Sequence, residues 1–191
     1  MKKIIGITGG LATGKTTVAD MFVQKGAVKI DADRIAHGLL KEDQKIRDKV
    51  IDAFGEGILT GGKIDRKKLA NIVFKDKDKL KKLTNILHPR IIENIKERIE
   101  KEGDKIIVID APLLMEAGLE EMMDVIIVVK AERHTQIKRA VNRGISEEEA
   151  EAIIKNQMPL SEKIKKADYV IDNEEKIEKI KEGVERIWQN V

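Results

Sequence analysis

Eight residues near the start of the chain, Gly9-Gly10-Leu11-Ala12-Thr13-Gly14-Lys15-Thr16, have the types and spacing needed to hold phosphate. They follow G-x-x-x-x-G-K-[ST]. Glycines let backbone N–H groups converge on phosphate oxygens, the lysine reaches the outer phosphates of a triphosphate, and the Thr16 hydroxyl can ligate Mg²⁺. A glycine-rich turn that binds nothing has no need of Lys beside Thr.

Other residues could act with this loop. Asp31-Ala32-Asp33 follows the apolar run Val28 to Ile30. A carboxylate there could take a proton from an acceptor hydroxyl, or could cap a helix starting near Arg34. Asp110 closes the apolar run Ile106 to Ile109, the form of a second element that supports Mg²⁺; it could instead be a capping Asp ahead of Pro112. Glu116 fits a solvated helix residue as well as a site residue. His88-Pro89 interrupts a helical pattern, read either as a proline kink or as a histidine aimed at a substrate. Arg139 and Arg143 are four apart, so they share a helical face that could close over phosphates or simply face water.

These residues need a scaffold, and five β-branched runs supply one: Ile4 to Thr8, Val28 to Asp31, Ile106 to Asp110, Val125 to Val129 and Tyr169 to Asp172. Nearly continuous apolar runs separated by helical segments imply parallel strands covered on both faces, a doubly wound α/β sheet of five strands. Ligands bind such sheets beyond the carboxyl ends of the strands, where three of the five runs end in Asp. Thr16 to Lys25 reads as the first helix, closed by Gly26. From Arg34 to about Glu102 the pattern is helical, clearest at Leu80, Leu83, Leu87, Ile91, Ile95 and Ile99. That stretch far exceeds a crossover and reads as a helical insertion. A second helical stretch, His134 to Lys166, carries a capping box of Ser146 and Glu149. The last helix shows Ile177, Ile180, Val184 and Ile187 at helical spacing.

Composition narrows the classes. The chain has 191 residues, 41% hydrophobic and 37% charged, so it suits one packed core with grafted subdomains. A net charge of +3, without a basic stripe, and only one Trp, one Tyr and three Phe argue against nucleic-acid binding. The absence of Cys excludes disulfides and thiolate chemistry. No stretch approaches the roughly 20 apolar residues that span a bilayer, so no membrane association and a cytoplasmic location are expected.

Taken in order, these motifs resemble the dephospho-coenzyme A kinase family along nearly the whole chain. Gly6-Ile7-Thr8-Gly9-Gly10 to Gly14-Lys15-Thr16-Thr17 is similar to its P-loop, and Asp31-Ala32-Asp33 to its acidic second motif. Asp65-Arg66, Leu69-Ala70, Val73-Phe74 and Leu87-His88-Pro89 resemble its coenzyme-binding region, and Asp110-Ala111-Pro112-Leu113-Leu114 with Glu116 its third-strand motif. Gln136, Arg139 and Gln157, then Ala167 to Asn173, resemble its lid and closing strand.

The resemblance implies transfer of the ATP γ-phosphoryl to the ribose 3′-hydroxyl of dephospho-coenzyme A with Mg²⁺, the last step in making coenzyme A. It implies catalytic roles for Lys15, Asp33 and Arg139 and a nucleotide site of Gly9 through Thr17 with Arg139 and Arg143. It also implies an acceptor site of Thr8, Asp33, His88, Leu113 and Glu116, and metal support from Thr16 and Asp110. The expected units are a P-loop core at 1–34, 104–133 and 167–191, an acceptor-binding insertion at 35–103 and a lid at 134–166.

Three departures from the family pattern stand out: Ala12 stands at a usual Gly, Ile153 at a frequent lid Arg, and Glu174-Glu175 follow Asn173. A conformational GTPase switch is a competing expectation, since Asp52-Ala53-Phe54-Gly55 matches D-x-x-G, but that match falls in a helical region and no N-K-x-D exists. Another small-molecule kinase, acting for example on a nucleoside monophosphate, is the nearer rival.

Overall fold

All five apolar runs pair into one parallel sheet in the computed structural model, which describes residues 2–191. The strands are β1 (Ile4–Gly9), β2 (Val28–Asp31), β5 (Ile107–Asp110), β6 (Val125–Lys130) and β7 (Tyr169–Asp172). They lie in the order β2-β5-β1-β6-β7. A strand period of two sends alternate residues to opposite faces, and both faces are apolar. Ile107 and Ile109 join a cluster with Ile30, Ile35, Leu39, Ile95 and Ile99, while Val108 faces the opposite way, into a cluster with Ile5, Ile7, Phe22, Ile127 and Ile187. The second face is covered by α1 (Lys15–Gln24) and α9 (Ile177–Asn190). Phe22 is fully buried there, so truncation to Ala would cost about 3–5 kcal/mol.

The other face carries the long insertion: α2 (Ala32–Glu42), α3 (Gln44–Phe54), α4 (Arg66–Val73) and α5 (Lys77–Lys101). Asp65 and Asp76 cap the last two through backbone N–H groups of Lys67, Lys68, Asp78 and Lys79. The insertion is not wholly helical. Between α3 and α4 lies a hairpin, β3 (Leu59–Thr60) with β4 (Lys63–Ile64), turned by Gly61 and Gly62 at φ 57° and 73°. Both central residues need positive φ in such a turn, which glycine adopts without Cβ strain. Two-residue strands leave no periodicity to read, and the sequence pattern reads as helical across this stretch. Helix α5 is continuous through Pro89, which lacks the N–H that would bond the Asn85 carbonyl. Gly55 is the C-cap of α3, so Asp52-Ala53-Phe54-Gly55 forms a helix end away from any strand end.

Three short helices fill 134–166 and its edge: α6 (Arg133–Val141), α7 (Glu147–Asn156) and α8 (Leu160–Lys165). The expected capping box opens α7, where Ser146 Oγ accepts the Glu149 N–H at 3.1 Å. The sheet register sets Asp31 opposite Asp110 at the carboxyl edge, next to the loop leaving β1.

Candidate active site

The loop after β1 is shaped by contacts that exclude side chains. A Cβ on Gly9 would overlap the Val129 carbonyl, and one on Gly14, at φ 92°, would overlap the Asn173 amide. Asn173 Nδ2 donates to the Thr13 carbonyl at 2.7 Å, so the closing strand's end fastens the loop. Thr13 Oγ1 donates to the Gly10 carbonyl at 3.1 Å. No side chain caps α1. Its first N–H groups and positive end therefore remain for an anion. Leu11 is partly buried and Thr17 is exposed.

Lys15 is buried, and its ammonium donates to the Gly10 carbonyl at 2.8 Å. Burial lowers its pKa from 10.5 to about 8, against the raising charges of Asp110 and Asp33; Lys163 and Arg143 push it further down. A lysine so poor in compensating charge favours a polyanion. Thr16 Oγ1 donates to Asp110 Oδ2 at 2.9 Å. Desolvation raises the Asp110 pKa, with the Thr16 bond and Lys15 opposing.

Ala12 takes φ 52°, a left-handed conformation that costs a Cβ-bearing residue about 1–2 kcal/mol. Its methyl group is buried with Ala140 of α6 and Ala150 of α7, flanked by Leu11 and Ile145. The departure from glycine thus fills a contact between loop and lid helices.

Beside the loop opens a cavity of about 470 Å³ between the sheet edge and the insertion. Its polar lining includes Asp33, His37, Arg66, Lys67, His88 and Glu149, and the remainder is largely apolar, Leu113 among it. Asp31, not Asp33, caps α2, accepting the Arg34 N–H at 2.8 Å. Asp33 is left accessible to the cleft but enclosed by surrounding protein; lost hydration, then the Asp31 charge, raises its pKa, with Lys15 opposing. His88 Nε2 is buried without a partner. Thr8 is buried and donates from Oγ1 to the Pro112 carbonyl at 3.2 Å. Glu116 lies outside the lining: its Oε1 accepts the Met158 N–H at 2.8 Å and pairs with Lys163 at 2.9 Å.

From the lid stretch, Arg139 Nη2 donates to the Asn173 carbonyl at 3.0 Å, while its Nη1 is buried without a partner. Gln136 is buried beside Gly10 and donates to the Ala131 carbonyl at 2.9 Å. Arg143 is exposed, and Ile153 is buried. Glu174 satisfies the start of α6, accepting the Glu132 N–H at 3.0 Å and the Thr135 hydroxyl at 3.1 Å. That explains a carboxylate after Asn173. Sequence reasoning missed Lys163, the fully buried lysine of α8, because in Lys163-Ile164-Lys165-Lys166 it resembles a solvated basic run.

The oxygen donors suit Mg²⁺, which takes one or two protein oxygens and completes its shell with phosphate and water. Thr16 and Asp110 provide a hydroxyl and a carboxylate side by side. Among the described residues no group of three or more His, Asp or Glu forms a ready-made metal cage.

Comparison with known proteins decides between the small-molecule kinases sharing such a loop. The dephospho-CoA kinase family model matches residues 3–179. The chain belongs to the dephospho-CoA kinase family. It is similar to the dephospho-CoA kinase of Fusobacterium nucleatum, at 44% identity over 190 residues, covering 98% of each chain. The solved dephospho-CoA kinase from Campylobacter jejuni is 32% identical with a TM-score of 0.68, covering 99% of this chain and 96% of that one. A deoxyadenosine kinase from M. mycoides, 18% identical with a TM-score of 0.57 and full coverage of both chains, shares the fold alone. The doubly wound parallel sheet of these kinases is therefore the frame in which this family member holds its loop and cavity.

Proposed function

We propose that the chain transfers the γ-phosphoryl of ATP to the ribose 3′-hydroxyl of dephospho-coenzyme A, releasing ADP and coenzyme A. One observation carries the site assignment: Asp33 lines the acceptor cavity and also lies within electrostatic reach of Lys15 and Asp110. A single carboxylate therefore borders both halves of a transfer reaction. Family membership supports the substrate.

Positioning and charge stabilisation provide most of the rate, because phosphoryl transfer has a loose transition state. The amides of Gly9 through Thr16 and the Lys15 ammonium hold the β- and γ-phosphates. Asp33 accepts the 3′-hydroxyl proton as the hydroxyl oxygen bonds to the γ-phosphorus and the bond to the β–γ bridging oxygen breaks. Burial and the Asp31 charge raise its pKa above the ordinary carboxylate value, which makes it a stronger base. Arg139, with one guanidinium nitrogen unpartnered, faces the developing charge, and Arg143 adds long-range positive potential. Thr16 and Asp110 would hold Mg²⁺, which would supply positive charge to the phosphates. Residues 35–103 bind the acceptor, with His88 and Leu113 in the wall, while 134–166 act as the lid. No helix among the described residues is long and apolar enough to cross a membrane.

An ADP-release assay with dephospho-coenzyme A beside AMP, dTMP and pantothenate tests this reading. Turnover of dephospho-coenzyme A alone is expected, and turnover of AMP without it would overturn the assignment. A thermal-shift comparison should show stabilisation by Mg·ATP; stabilisation by GTP alone would favour the switch.

A further inference from the structure

Lys163 has no role in the transfer described above, yet its side chain has 0% exposure. Ammonium groups are almost never buried so fully without a structural or chemical return. Its two partners lie on one irregular segment: the Pro112 carbonyl at 2.7 Å and Glu116 Oε1 at 2.9 Å. Burial lowers the lysine's pKa, and Glu116 opposes that shift.

That segment, from Ala111 to Leu119, has turns but no helix or strand before its final residue, and Ala111, Pro112, Leu113, Ala117 and Leu119 line the acceptor cavity. Its own backbone bonds, such as the Ala117 N–H to the Leu113 carbonyl and the Leu119 N–H to the Leu114 carbonyl, close turns within the segment, and further ties fix it to the rest of the molecule. The Pro112 carbonyl receives two, one from Thr8 at the end of β1 and one from Lys163 of α8. Met158, in the turn between α7 and α8, adds a third through Glu116. The strand feeding the phosphate loop and the helix ending the lid thus meet on one carbonyl of the acceptor wall.

We propose that Lys163 is a positioning residue for the acceptor, fixing the 111–119 wall through the Pro112 carbonyl and, with Glu116, holding that wall to the lid's last helix. The Lys163 ammonium is taken up by the Pro112 carbonyl and Glu116. The proposal rests on the acceptor reading of the cavity, and wild-type turnover of dephospho-coenzyme A in the same assay tests that reading separately.

Three variants test it: Lys163→Met, Glu116→Gln and the double variant. Lys163→Met leaves Glu116 without its cation and lowers Tm; the double variant removes both charges and recovers part of that loss. Both variants lacking the lysine should raise the KM for dephospho-coenzyme A on the order of tenfold, with the Kd for Mg·ATP little changed. Glu116→Gln retains the Lys163 bond to Pro112 and should raise that KM far less. A folded double variant with wild-type acceptor KM would overturn the proposal. So would an equal KM increase in Glu116→Gln, or parallel loss of ATP and acceptor affinity. A wild-type enzyme that binds Mg·ATP but ignores dephospho-coenzyme A would instead remove the assigned substrate.

Discussion

The Asp31 carboxylate accepts the Arg34 N–H at 2.8 Å, and this bond leaves Asp33, two positions later, free of any capping duty. The two carboxylates therefore separate by assay. Asp31→Ala should lose about 1 kcal/mol, roughly 2–4 °C in Tm. Asp33→Asn should lower kcat by on the order of 100 to 10,000-fold. Its Tm at neutral pH should hold or rise, because the folded-state pKa is raised and the ionised form is the disfavoured one. A fall in Tm with unchanged kcat would return Asp33 to a structural role.

Lys15 predicts a pH signature. Its folded pKa of about 8 lies below the ordinary 10.5, so between these values the unfolded chain binds more protons and stability rises with pH. The penalty is fully present below pH 8. Lys15→Met should abolish turnover while raising the Tm of the ligand-free protein at pH 7, and the gain should shrink towards pH 10. Above pH 8, Mg·ATP binding should take up a proton, visible as a dependence of calorimetric heat on buffer ionisation enthalpy.

Arg139 offers one bonded and one free guanidinium nitrogen. Arg139→Ala should reduce kcat by about 10²-fold or more with a small change in Tm. Arg139→Lys should restore little, since one ammonium cannot reproduce a planar fork that holds the Asn173 carbonyl with one nitrogen and keeps a second for the phosphates. Steady-state kinetics that find neither kcat nor ATP affinity altered would remove the arginine from the site.

Glu174 completes the first turn of α6 from across the chain, where Glu132 provides no side-chain cap of its own. Glu174→Ala should cost about 1 kcal/mol by thermal denaturation, with kcat falling far less than in Arg139→Ala.

Much of the architecture was legible because it depends on short-range rules. The five strands announced themselves as β-branched runs, and the loop motif fixed what must follow β1. What stayed hidden depends on tertiary contact. Asp31 and Asp33 could not be told apart until the backbone direction at α2 showed which carboxylate reaches Arg34. Glu116 was expected at the acceptor site through resemblance, and its pairing with Lys163 of α8 had no signal in the sequence. Neither Lys163 nor the role of Glu174 carries a local sequence signature, because each partner lies more than 38 positions away. Family resemblance supplied the acceptor, which no periodicity could have named.

The methyl of Ala12, held in a left-handed turn against Ala140 and Ala150, ties three distant positions to one shared volume. Enlarging any of them alone would push the lid helices off the loop, and shrinking Ala12 to glycine would open a gap beneath them. Substitutions tolerated across such enzymes should therefore arrive at these sites in matched sets, with a bulkier lid residue admitted only where the loop has given up its side chain.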